Sequence, residues 1–160
     1  VWGAFSWYGM GPLVVLEDTL NGPRYHQLLR DHLHPFLAFQ YPDDLAVFQD
    51  DNAPPHRSNV AREWFEEHAG EVQRLSCPPW SLDINLMEHI WDAVELRLRA
   101  LDPPPTNRPQ LATALQTVWC QLPPEVYQGL ADSLPRRIAE IRWSGGPDQV
   151  LGDCPISLAR

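Results

Sequence analysis

Seventeen prolines in 160 residues cut this chain into short segments. Proline lacks an amide donor and fixes φ, so each one ends an element, kinks it or confines it to an edge. The segments between them are nonetheless apolar, with 44% hydrophobic residues and seven tryptophans. Such a chain is not disordered, and its length suits one domain with a real core. The longest uncharged stretch, Val1 to Leu16, is interrupted by Gly3, Ser6, Gly9, Gly11 and Pro12. It is too short to span a bilayer and lacks the flanks of a signal peptide, so no membrane association is expected. Cys77, Cys120 and Cys154 are odd in number and far apart. With neither zinc spacing nor a disulfide framework, a reducing compartment is expected. The sequence opens on Val1-Trp2-Gly3-Ala4-Phe5, strand-like and without an initiator methionine, and reads as a fragment whose N-terminal part is absent.

Hydrophobic patterning predicts the order β-β-α-β-α-β-α-α-α. Val1–Ser6 and Leu13–Leu16 read as a hairpin around a turn at Tyr8–Pro12. A helix from about Gly22 to Phe39 follows Asn21, with Pro35 kinking or ending it. Leu45–Phe48 reads as a short buried strand, Arg57–Ala69 as a helix stopped by Gly70, and Glu71–Leu75 as a strand. Cys77-Pro78-Pro79-Trp80 reads as a rigid loop. A helix from Asn85 to about Leu101 buries Met87, Ile90, Trp91, Val94, Leu98 and Leu101. Two more follow, Gln110–Gln121 and Pro124–Arg142, the second interrupted by Pro135. The pattern is that of an α/β chain with part of its sheet antiparallel.

With 21 acidic and 12 basic residues the net charge is −9, and every basic residue is arginine. This excess argues against a generic nucleic-acid binder and points to a protein partner or a metal ion. Asp51 follows the buried strand, where functional groups of open α/β sheets gather; Asp50, Asp51 and Asn52 also suit a plain Asx turn before Pro54. Glu88 lies in a first helical turn opposite the apolar stripe, where Asn85-x-x-Glu88 also fits a capping box. Asp92, one turn on, reads equally as a solvated residue. Carboxylates on adjacent elements suit Mg²⁺, and paired ions can act on a phosphodiester, chemistry that usually needs a third carboxylate. His56 and His89 are further candidates as ligands or bases, without a metal-ligand spacing.

The strings themselves carry more. Val47-Phe48-Gln49-Asp50-Asp51-Asn52-Ala53-Pro54-Pro55-His56 resembles the second-aspartate motif of Tc/mariner-type DNA transposases. Ser81-Leu82-Asp83-Ile84-Asn85-Leu86-Met87-Glu88-His89-Ile90-Trp91-Asp92 resembles the third-acid motif of their Glu-bearing branch. Val1–Ser6 with Gly11–Val14, and Asn21–Leu33, resemble the strand pair and first helix of that family. The resemblance covers about residues 1–101 in collinear order. It implies a DDE catalytic domain: an α/β, RNase H-like mixed sheet flanked by helices, here lacking its first strand. It implies two Mg²⁺ (or Mn²⁺) ions held by three acids, used for DNA cleavage and strand transfer in transposition and integration. By motif position Asp51 is the second acid and Glu88 the third. Asp50 stands where the family usually has Gln; Asn52, His56 and Asn85 would support the site, and Trp91 would be core.

Departures from the family pattern set further expectations. The family's first acid lies on a strand upstream of the Val1 segment, and Asp18, at a turn on the wrong strand, is a poor substitute. Leu82 and Leu86 replace stiffening prolines. The 36 residues between Asp51 and Glu88 slightly exceed the usual spacing, and the end-reading helix-turn-helix region is missing. Residues 1–142 are therefore expected to be a partial catalytic domain and 143–160 a poorly ordered tail. The piece alone is expected to be inactive, with an exposed sheet edge that invites association. The implied partners are DNA (transposon ends and target), weakly held by this acidic piece, and a second copy of the chain. The implied compartment is nuclear in a eukaryote and cytoplasmic otherwise, not secreted. A domesticated, non-catalytic module binding protein or DNA is the alternative.

Overall fold

The structure, a computed structural model, describes residues 1–43, 45–75 and 85–143. Its elements follow the expected order: β1 (Trp2–Ser6), β2 (Gly9–Val14), α1 (Gly22–Leu28), a π-helical turn (Leu29–Leu33), α2 (His34–Gln40), β3 (Ala46–Gln49), α3 (Asn59–Glu67), β4 (Val72–Leu75), α4 (Leu86–Arg99), α5 (Arg108–Cys120) and α6 (Pro124–Trp143). The chain divides into two compact units, Val1–Leu16 with Leu86–Leu134, and Glu17–Asn85 with Pro135–Arg160. The expected Cys77–Trp80 loop, the Leu82 position and the tail after Trp143 lie outside the described residues.

In the first unit β1 and β2 pair antiparallel, but the turn is tighter than the turn residues suggest. Ser6 pairs with Gly9, so Trp7 and Tyr8 alone make the connection, and the strand starts at Gly9 rather than Leu13. Pro12 sits inside β2, where the register shifts between Gly3 and Phe5. Such an irregularity spares the ladder the donor that proline lacks. Leu13 from β2, Ile90 and Val94 from α4, Val118 and Trp119 from α5, Leu122 and Tyr127 form the core. Trp91 is half-buried against it, its ring 5.3 Å from that of Trp119. Trp119 is fixed at both ends: its Nε1 donates to the Gly11 carbonyl at 2.9 Å, and a Cβ on Gly3 would lie 2.8 Å from its Cη2.

In the second unit β3 and β4 pair in parallel, Ala46 opposite Val72 through Gln49 opposite Leu75. The two pairs show both orientations that a mixed sheet contains. The long helix expected from Gly22 is capped by the Asn21 side chain on the Arg24 amide. Pro35 does not end it; a π-turn at Leu29–Leu33 comes just before the proline, and α2 runs on from His34. The His34 amide reaches the Leu29 carbonyl, and the widened turn accommodates a proline with no amide to offer. Ser58 caps α3 through the Ala61 amide. Tyr25, Leu28, Leu29, Leu33, Ala61, Trp64, Phe65 and Val72 are buried. Helix α6 runs on through Pro135. Among the described residues no helix is long and apolar enough to cross a membrane.

Because the Trp119 ring cannot retreat without losing its hydrogen bond, Gly3→Ala is overpacked. It is expected to lower stability by about 1–3 kcal/mol, read as a shifted urea midpoint with an unchanged slope.

Candidate active site

Strand β3 delivers Asp50, Asp51 and Asn52 in succession at its carboxyl end. The two aspartates have opposite fates. Asp50 is turned inward, its side chain only 7% exposed. Arg74 of β4 grips it with a two-pronged contact, Nε to Oδ1 and Nη2 to Oδ2, each 2.9 Å. The Tyr25 hydroxyl of α1 donates to Oδ2 at 2.6 Å. Burial first, and then the Asp50 charge, push the Tyr25 phenol far above its usual range, so it stays a donor.

Arg74 also closes the loop that follows. Its Nη2 donates to the His56 carbonyl at 3.1 Å, and its guanidinium lies 4.9 Å from the centre of the Phe65 ring. The loop folds on itself as a turn into α3: the amides of His56 and Arg57 both donate to the Ala53 carbonyl, at 3.0 and 3.2 Å. The His56 ring stacks on Tyr25 with centroids 4.2 Å apart.

Asp51 faces outward, its side chain 47% exposed. Its Oδ1 accepts the Ala53 amide at 2.9 Å, the Asx turn that the sequence allowed. His56 Nδ1 stands 2.5 Å from the same oxygen. The contact is close but poorly aligned, since the buried Nδ1 meets no partner at hydrogen-bond angles. The His56 contact first, then the Ala53 amide and the Arg74 charge, hold the Asp51 carboxyl below the usual carboxylate range. Asp51 is thus an ionised, accessible oxygen donor with one oxygen already oriented. This is the chemistry that hard divalent cations take.

Four of the six expected site residues, Asp50, Asp51, Asn52 and His56, therefore converge on one loop. Glu88 belongs to the first unit and is exposed in the first turn of α4, and Asn85 is half-buried just before that helix. Asp18 pairs with Arg24 at 3.3 Å. Among the described residues no group of three or more His, Cys, Asp or Glu is placed to hold a metal ion. Tyr25 and Arg74 were missed by sequence reasoning. The signal for Arg74 was an arginine in a four-residue strand whose ends, Val72 and Leu75, are buried. Such a cation needs a carboxylate partner.

No protein-family model matches the chain. It is 34% identical over 137 residues to the Tcb1 element transposase of Caenorhabditis briggsae, spanning 86% of this chain and 48% of that protein. It is 34% identical over 146 residues to the Tc1 element transposase of Caenorhabditis elegans, spanning 91% and 52%. The chain thus spans about half the length of the curated relatives it matches. In fold it is similar to the catalytic domain of the Mos1 mariner transposase, with a TM-score of 0.72 at 21% identity over 86% of this chain and 69% of that one. The same domain solved with raltegravir and Mg gives 0.73 at 21% identity, over 88% and 72%. The Mos1 paired-end complex with Mn gives 0.76 at 21% identity, over 89% and 42%. The RNase H-like catalytic-domain fold is therefore the fold of this chain.

Because the folded-state pKa of Asp51 is depressed, its contribution to stability is present above the ordinary carboxylate pKa and is lost as pH falls through the lower folded value. In a carbon-detected NMR titration the Asp51 carboxyl is expected to titrate below the reference value of about 3.9. His56→Ala is expected to move that midpoint upward.

Proposed function

The chain is a homologue of the Tc1/mariner transposases with the fold of their catalytic domain, and on that premise we propose that it carries the second and third metal-binding acids, Asp51 and Glu88, of a DNA endonuclease and strand-transfer domain. The observation that carries this reading is Asp51 itself: ionised, half-exposed, at the carboxyl end of the parallel strand β3, of which Ala46 alone is buried, with its orientation fixed by His56 and the Ala53 amide.

Structures of the related Mos1 catalytic domain contain Mg or Mn, and the oxygen donors here suit the same hard cations. When bound, such ions supply Lewis-acid activation of a phosphodiester and of the attacking water. The chain's own part is to hold and orient. Asp51 and Glu88 would be ligands, His56 would keep Asp51 charged and aimed, and the Asp50–Arg74 pair would keep the loop in place. Asn52 and Asn85 would support the two acids. The Mos1 structures include complexes with a transposon end and paired ends. DNA ends held by two copies of the chain are accordingly the proposed partners, and the nucleus of a eukaryote the proposed compartment.

The resemblance implies two ions held by three acids, and its motifs match two of them in these 160 residues, Asp51 and Glu88. These 160 residues alone are therefore proposed not to cut DNA. The net charge of −9 favours, as a second reading, a module that binds protein or DNA without cutting. Mn²⁺ binding followed by water-proton relaxation separates the two. Asp51→Asn and Glu88→Gln are each expected to weaken it, Asp18→Asn to leave it unchanged, and plasmid nicking by the 160-residue chain to be absent. Binding indifferent to Asp51 would favour the non-catalytic reading, and nicking lost in Asp51→Asn would overturn the proposed inactivity.

A further inference from the structure

A cavity of about 550 Å³ opens in the second unit beside the Asp51 loop, with Asp50 and Asn52, the neighbours of Asp51 in sequence, both in its wall. Arg57, Arg62 and Arg74 line it as well. Three of the chain's twelve cations thus converge on one hollow, although acidic residues outnumber basic ones by 21 to 12. Arg74 is committed to Asp50. The other two are not committed to any described carboxylate. Arg62 is held by a neutral group, the Asn59 side-chain oxygen, at 2.5 Å, and Arg57 is exposed at the loop's exit into α3. Elsewhere Arg24, Arg30 and Arg99 each have a carboxylate in reach, Asp18, Asp31 and Glu95 respectively, while Arg97 and Arg108 donate singly to the Ala93 and Leu16 carbonyls and do not line this cavity. With so many acids available, two uncommitted guanidinium groups facing one cavity mark a place where the anion comes from outside.

A guanidinium presents a planar fork of donors that matches phosphate oxygens, and it keeps its charge at any physiological pH. The wall carries three positive charges against the single negative charge of Asp50. Asp50 is itself paired with the Arg74 fork, which leaves Arg57 and Arg62 as the charges of the wall without a carboxylate partner among the described residues. We propose that this arginine-lined cavity, walled by the loop that carries Asp51, seats the phosphate backbone of a DNA strand, with Arg57 and Arg62 as the phosphate-binding residues. The proposal rests on the reading of Asp51 as part of a DNA-cleaving centre. It adds to that reading the residues that hold the strand without any metal. It also gives an acidic chain a local cationic wall, since Arg57, Arg62 and Arg74 share one cavity.

The test is metal-free. The 160-residue chain is titrated with a short labelled duplex in EDTA across a range of salt concentrations, and anisotropy gives the slope of log K against log salt. Each phosphate contact removed lowers that slope by about 1. Arg57→Ala/Arg62→Ala is expected to lower it by about 2 and to weaken low-salt binding at least several-fold, as is the polar but uncharged Arg57→Gln/Arg62→Gln pair, with the far-ultraviolet dichroism and melting curve unchanged. Arg99→Ala, on α4 and paired with Glu95, is expected to leave the slope alone. Inorganic phosphate is titrated in parallel. The proposal is overturned if the slope survives both double substitutions, if the wild-type chain shows no salt-dependent duplex binding, or if the arginines bind free phosphate while the duplex slope is unaffected. A slope that falls as expected while Mn²⁺ binding ignores Asp51→Asn would leave the phosphate seat standing and remove the metal reading. The reverse pair of results would do the opposite.

Discussion

The second unit depends on one buried charge. Asp50 is almost wholly removed from water and accepts three hydrogen bonds, two from Arg74 and one from Tyr25. A buried ion pair rarely adds net stability over apolar packing, but removing one partner costs about 3–5 kcal/mol because the other is stranded. Its value here is positional. It ties the exit of β3 to β4 and α1, and through the His56 carbonyl it closes the loop that carries Asp51. The strands alone could not do this, because each has only four residues.

This arrangement explains how adjacent aspartates acquire different tasks. Alternation along an extended chain sends neighbouring side chains to opposite faces. Asp50 goes inward to its fork, and Asp51 outward to solvent, His56 and the Ala53 amide. The inward acid is neutralised and structural. The outward acid stays ionised and accessible, as its proposed role as a metal ligand requires. The π-turn before Pro35 belongs to the same architecture, since it lets one continuous helical run carry Tyr25 at one end and a proline near the other.

Much of this was legible in the sequence. The order of elements, the burial of Ile90 and Val94 with Trp91 packed against them, and the loop of Asp50, Asp51, Asn52 and His56 followed from spacing and motif, whereas Leu101, expected in the same stripe, is exposed past the end of α4. The hairpin was misplaced because Gly9 and Gly11 read as turn residues, whereas cross-strand pairing and a register shift at Pro12 place them in β2. The role of Asp50 was half visible. An acid where the family has Gln, and an arginine in a buried strand, are complementary anomalies 24 residues apart. Only the parallel register that sets Phe48 opposite Arg74 brings them together. The clustering of Arg57, Arg62 and Arg74 was hidden for the same reason: it is a property of the folded loop and strand, not of local sequence.

The central claim is that the Asp50–Arg74 contact holds the Asp51 loop in place. Amide hydrogen exchange in Asp50→Asn tests it most directly. The account predicts faster exchange than wild type at the His56 and Arg57 amides, whose bonds to the Ala53 carbonyl close the loop, and at the Ala53 amide on Asp51, with the amides of α5 in the other unit unchanged. Loop amides that exchange as slowly as in wild type would contradict it.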